Sequence, residues 1–193
     1  AAGRQIKVID ALLHEMTTTY DLSGRRLTST DALGRTVQYE YDLAGKITAT
    51  IYPDPISDDG NDANNPRTTM QYDDAGRKTA ELDEMGRKTA FGYDNVGRLT
   101  SVTLAAHTAT PFTTTYAYDE QGNKTTQTDA EGRITSWTFD KSGRNLTRKL
   151  PMGQIESFGY NSAGERTQHT TFNGATMAYS YDTLGRIDTI TFP

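Results

Sequence analysis

The chain has 193 residues, 20 Lys and Arg against 25 Asp and Glu, a net charge of −5 and no cysteine. The absence of cysteine excludes disulfides and thiol catalysis, and the mildly acidic balance argues against a nucleic-acid partner. No apolar run approaches the roughly 18 residues of a membrane-spanning helix, and no secretory leader is read at the start.

Leu, Ile, Val and Phe together number only 31, whereas Thr numbers 32 and Tyr 11. So little aliphatic volume points either to disorder or to a thin, repetitive sheet. The modest charge and the β-favouring Thr and Tyr select the sheet.

Taken in chain order, the elements repeat. The segment Ile6 to Met16 reads as two strands around a turn at Asp10. Tyr20-Asp21-Leu22-Ser23-Gly24 is the first complete copy of Tyr-Asp-x-x-Gly. It returns as Tyr41 to Gly45, Tyr72 to Gly76, Tyr93 to Gly97 and Tyr118 to Gly122. Variants follow at Phe139 to Gly143, Tyr160-Asn161 to Gly164, and Tyr181 to Gly185. Gly3 lies one period upstream of Gly24. Successive repeat glycines are 21 residues apart in six of eight intervals. The others place insertions of about ten residues within 53–66 and about four within 105–111.

Halfway through the units lie second turns: Asp31 to Gly34, Asp83 to Gly86, Asp129 to Gly132, and weaker forms ending at Gly153 and Gly174. A turn every ten or eleven residues is the rhythm of consecutive short strands. Asp separated from Gly by two residues suits a type I turn completed by a left-handed glycine bulge. The recurring Asp is therefore a turn residue first. The predicted fold is all-β: one antiparallel β-hairpin array over residues 1–193, about nine units of 21 residues.

Tyr39 and Tyr41, Phe91 and Tyr93, Tyr116 and Tyr118, Trp137 and Phe139, Phe158 and Tyr160, and Tyr179 and Tyr181 sit two residues apart, so each pair shares a strand face. Two readings stand: the sheet's packed face, or a stacking platform for sugars or bases. Arg25, Arg35, Arg77, Arg87, Arg98, Arg133, Arg144 and Arg186 follow turn glycines. Each is offset by the Asp heading its own turn, which predicts local charge pairing or solvation rather than a basic stripe.

No catalytic, cofactor-binding or metal site is assigned. His14, His107 and His169 have no ligand-like spacing and read as surface residues. No nucleophile elbow or phosphate loop is present. The acidic stretch Asp58 to Asn65 is either a solvated loop or a calcium loop that lacks the closing glutamate. An enzyme using two carboxylates is the weakest of the functional readings.

These motifs resemble the YD-repeat family, also called RHS repeats. Tyr93-Asp94-Asn95-Val96-Gly97-Arg98-Leu99-Thr100 is nearly its consensus. The family includes Rhs polymorphic toxins, the B and C components of Tc toxins, wall-associated proteins and teneurins. The resemblance implies a β-sheet spiralling into a hollow shell that, in the toxins, encloses a toxic C-terminal polypeptide. It further implies a secreted or cell-surface bacterial protein whose partners are the rest of the shell and its cargo. Self-association through exposed strand edges is also expected. The alternative is a wall-associated or adhesive module engaging glycan or protein through the aromatic face. Asp54-Pro55-Ile56-Ser57 lacks the Gly-Leu of the toxins' plug motif, so self-cleavage is not carried over.

Overall fold

A computed structural model describes residues 4–54 and 65–193. All of its regular structure is strand. In chain order these are β1 (Lys7–Ile9), β2 (Glu15–Tyr20), β3 (Arg26–Thr30), β4 (Thr36–Tyr41), β5 (Ile47–Ile51), β6 (Arg67–Tyr72), β7 (Lys78–Leu82), β8 (Lys88–Tyr93) and β9 (Leu99–Leu104). They continue as β10 (Phe112–Tyr118), β11 (Lys124–Thr128), β12 (Ile134–Phe139), β13 (Asn145–Lys149), β14 (Ile155–Tyr160), β15 (Arg166–Thr170), β16 (Thr176–Tyr181) and β17 (Ile187–Thr191). The segment before Met16 is two strands, as its phase predicts. The second insertion is the connection between Leu104 and Phe112. The first insertion and Asp58 to Asn64 of the acidic stretch lie outside the described residues.

The chain divides into two compact units, Ala1–Phe91 with Leu104–Pro111, and Gly92–Thr103 with Phe112–Pro193. In the first, β1 to β7 pair antiparallel in sequence order, and Ala80 of β7 faces Ala90 of β8. In the second, β10 to β17 do the same.

Register partners share a face, so the sheet of each unit has two chemically distinct sides. In the second unit, Trp137 faces Arg148 and Arg148 faces Glu156, while Phe158 faces His169 and His169 faces Met177. The opposite side carries the row Thr138, Thr147, Ser157, Thr170 and Thr176. Hydroxyls of that side bond across strands, Thr138 to Thr147 at 2.7 Å and Thr170 to Thr176 at 2.9 Å. In the first unit Thr19 bonds Thr28 at 2.6 Å and Thr30 bonds Thr36 at 2.8 Å. The threonines therefore stabilise pairing through their side chains as well as their backbone preference.

Burial matches the aliphatic shortage. Only Ala49, Ala80, Thr50 and Ile51 are buried, and no large side chain is fully buried among the described residues. Cross-strand pairs and turns, rather than a deep apolar core, hold the strands.

Candidate functional site

The repeating feature is the turn, and its local chemistry comes first. In the Asp21 turn the Gly24 N–H donates to the Asp21 carbonyl at 3.0 Å, and the Asp21 N–H donates to the Arg25 carbonyl at 2.9 Å. Gly24 has φ +88°, the left-handed value the motif demands. The Asp21 side chain accepts the Arg25 N–H at 2.8 Å and the Arg25 Nε–H at 2.6 Å. The strand register shifts immediately before the ring that precedes Asp, between Thr19 and Tyr20, Glu40 and Tyr41, Gln71 and Tyr72, and Gly159 and Tyr160 among others. Such bulges re-aim a side chain.

Electrostatics follow from this geometry. The backbone N–H of Arg25, then its guanidinium, holds the Asp21 carboxyl below its usual value despite some desolvation. The same backbone bond leads at Asp73 and Asp140, and the guanidinium bond leads at Asp94. These carboxylates are fixed, ionised acceptors.

The arginines do more than pair with their own aspartates. The Arg25 guanidinium lies 4.8 Å from the centre of the Tyr41 ring, one repeat ahead, and its Nη1 donates to the Asp42 carbonyl at 3.1 Å. Tyr41 in turn donates its hydroxyl to the Arg26 carbonyl at 2.7 Å. Arg4 covers Tyr20 at 5.4 Å and Lys46 covers Tyr72 at 5.3 Å. In the second unit Arg98 covers Tyr118 and Arg144 covers Tyr160, both at 4.9 Å, and they donate to the Asp119 and Asn161 carbonyls at 2.8 and 3.2 Å. Arg25, Arg98 and Arg144 thus clasp their own turns to the next. At Gly24 and Gly76 the missing side chain makes room: a Cβ there would stand 2.6 Å from Arg4 Nη1 and 2.5 Å from Lys46 Cε, whereas one on Gly45 or Gly164 would only touch its arginine at 3.6 Å and one on Gly122 would meet nothing.

Exposure separates the clasping arginines from those that pair only within their turn, Arg186 of the Tyr181-Asp182 turn among the latter at 73%. Side chains of clasping Arg25, Arg98 and Arg144 are 35%, 32% and 32% exposed. Those of Arg35, Arg87 and Arg133, in the second turns, are 61%, 67% and 58% exposed and pair only locally. Local pairing or solvation therefore describes the second turns well and the Tyr-Asp turns incompletely. Asn123 and Glu165 stand where the clasping cation stands elsewhere. Asn123 bonds Asp119 at 2.9 Å, and Glu165 accepts from Asn161 at 2.6 Å.

The aromatic pairs are half-buried and largely engaged. Lys124 lies 5.5 Å from Tyr116 and 4.4 Å from Trp137, and Arg166 lies 5.9 Å from Phe158 and 4.9 Å from Tyr179. The packed-face reading fits these rings better than a bare stacking platform does. The three histidines are not brought together. His14 pairs with Asp10 at 2.9 Å, His107 Nδ1 accepts the Lys88 N–H at 3.0 Å, and His169 meets Glu156 at 2.8 Å. His169 also stacks on Phe158 and is only 16% exposed, so it is not the surface residue its isolation suggested. No cluster of His, Cys, Asp and Glu suited to a metal occurs among the described residues.

The turns and clasps define a repeat protein of interlocked β-hairpins. The RHS Repeat family model matches residues 20–55, 72–109 and 112–134. The chain belongs to that family. Its fold is similar to a segment of the TcdB2-TccC3-Cdc42 crystal structure, with a TM-score of 0.74 and 18% identity over 98% of this chain and 11% of that one. The TcdB2-TccC3 crystal structure gives 0.73 and 18% over 98% and 11%. A mutant Photorhabdus luminescens Tc holotoxin pore gives 0.72 and 18% over 98% and 10%. The chain spans about a tenth of the length of these chains. Among curated protein sequences none matches it.

Proposed function

We propose that this chain is a stretch of wall in an RHS-repeat shell that encloses a toxic polypeptide of a bacterial secreted toxin. The observation that carries the reading is the agreement of backbone over 98% of the chain with TcdB2-TccC3. Its mechanism is exclusion. A sheet with paired edges hides an inactive cargo from solvent and proteases. The clasped turns set the spacing of successive hairpins and so the regularity of the wall. On this reading the two units are parts of one array, the role is not catalytic, and the partners are the rest of the shell and its contents. All five residues of β17 are exposed, which suits a strand that receives a further neighbour.

The test is protease protection. In the full-length protein carrying this array, the enclosed polypeptide resists trypsin until the wall is unfolded. Digestion at the rate of the free polypeptide would remove the proposal. Trp137 is the probe for the adhesive alternative: glycan binding lost in Trp137→Ala with the fold intact would favour that reading instead.

A further inference from the structure

The turn joining β15 to β16 departs from its counterparts in two residues. Thr171 replaces the usual Asp at its head, and Asn173 immediately precedes its glycine. Asn173-Gly174 is the only Asn-Gly step in the chain. In the Asp-headed turns a carboxylate takes the backbone N–H of the residue after the glycine, as Asp129 does for Arg133 at 3.0 Å. Here the Asn173 side-chain oxygen takes that place and accepts the Ala175 N–H at 3.2 Å. A backbone donor fixes which end of the amide faces inward, so the oxygen is held and the NH2 is left outward. The Thr171 hydroxyl reaches the same oxygen and also the Ala175 carbonyl at 3.0 Å, so its single proton serves one acceptor at a time. One backbone donor, joined by the hydroxyl when it turns to the side chain, therefore serves one amide carbonyl, in an exposed turn, beside a residue with open space around its α-carbon.

We propose that Asn173 is a site of self-catalysed deamidation, with the Ala175 N–H and, when it turns from the Ala175 carbonyl, the Thr171 hydroxyl stabilising the developing oxyanion. The Gly174 nitrogen attacks Asn173 Cγ and loses its proton to solvent base. The Cγ–Nδ2 bond breaks as Nδ2 takes a proton back from solvent, ammonia leaves, and a five-membered succinimide remains. Water then opens either succinimide carbonyl to give aspartate or isoaspartate. No redox partner is needed, and the net change is an amide exchanged for a carboxylate. Donors aimed at an incipient oxyanion lower the barrier to its formation. The absence of a side chain on Gly174 lets its nitrogen approach.

One contact opposes the reaction. The Gly174 N–H donates to the Thr171 carbonyl at 2.9 Å. That bond must open first, which in an exposed turn requires only local unfolding. The consequence is structural. Aspartate keeps the turn and strengthens the acceptor through its charge. Isoaspartate adds a methylene to the main chain at the point that fixes the β15–β16 register.

The folded chain supplies its own controls. Asn123 and Asn161 also occupy turns, but Lys124 and Ser162 follow them, and their NH2 groups donate to Asp119 and Glu165. The experiment incubates the purified chain at mildly alkaline pH and follows each asparagine by peptide mass. Loss of ammonia, then a gain of one dalton, marks the reaction, and isoaspartyl methylation marks the rearranged product. Asn173 is expected to convert several-fold faster than Asn123 or Asn161. Thr171→Val is expected to slow it by about two- to tenfold, the effect of one hydrogen bond at an exposed site. Thr171→Ser, which keeps the hydroxyl, is expected to retain the parental rate. Equal conversion at the three asparagines of the parent chain overturns the proposal without recourse to any variant. So does a Thr171→Val chain of unchanged circular dichroism that deamidates as fast as the parent.

Discussion

Arg144→Ala is the sharpest test of the clasp. Arg144 donates to Asp140 at 2.6 Å within its turn, covers the Tyr160 ring at 4.9 Å and donates to the Asn161 carbonyl at 3.2 Å. Arg133 makes the same kind of own-turn bond, to Asp129 at 2.7 Å, and stays 58% exposed. The own-turn pair is common to both, and Arg133 also bridges Glu131 at 2.9 Å, so the excess of Arg144→Ala over Arg133→Ala is a lower bound on the cross-turn part. The ring contact contributes about 0.5–1 kcal/mol and the carbonyl bond about 0.5–1.5 kcal/mol. Arg144→Ala should therefore be more destabilising than Arg133→Ala by about 1–2.5 kcal/mol. Repeat arrays need not unfold in one step, so a local probe is required. Trp137, the chain's single tryptophan, lies on β12, the strand that enters the Asp140 turn. Urea denaturation followed by its fluorescence should show the Arg144→Ala midpoint well below that of Arg133→Ala, with the slope unchanged. Equal midpoints for the two variants would refute a clasp between turns and leave only local pairing.

Other outcomes follow from the same geometry. Gly132 has φ +77° with open space around its α-carbon, so Gly132→Ala should cost about 1–2 kcal/mol through backbone strain alone, read at the Trp137 midpoint. Tyr160→Phe deletes the hydroxyl bond to the Asn145 carbonyl at 3.0 Å and should cost about 1 kcal/mol, read at the Trp137 midpoint. Acid should weaken the array in a defined window. Asp21, Asp73, Asp94 and Asp140 are held below the ordinary value of 3.8 in the folded chain. Their contribution is therefore complete above that value and is lost as pH falls through the lower folded values. A midpoint flat from neutrality to about pH 5 and falling below about pH 4 is expected, whereas a decline beginning near neutrality would contradict it. Asp94→Asn should keep the cap that Asn161 shows is possible, while Asp94→Ala should not.

Much of the fold is legible in the residues because the turn is a local object. Asp42-Leu43-Ala44-Gly45 specifies its own hydrogen bonds, and Gly45 takes φ +83° as the motif requires. The alternation of Trp137, Thr138 and Phe139 likewise gives the strand and its two faces, with Thr138 exposed and both rings half-buried. The clasp was harder to see. Arg25 has an obvious partner in Asp21, and its second set of partners, Tyr41 and Asp42, lies a full repeat away. Only the register of intervening β3 and β4 brings them together. The recurrence of a cation after the glycine and of a ring before the next Asp was the available signal. Its loss at Asn123 and Glu165 could have been read as a change in the wall rather than as noise. His169 was missed for a similar reason, since its partners Phe158 and Glu156 come from the neighbouring strand. The threonines were read as strand formers, and their cross-strand hydroxyl pairs depend on a register that thirty-two similar residues leave open.

A direct image of the full-length protein by single-particle electron microscopy bears hardest on the central claim, that these hairpins are wall rather than machine. A closed hollow body with the array in its side and additional density inside is the expected picture. An open ribbon, or a body with no internal space, would contradict it.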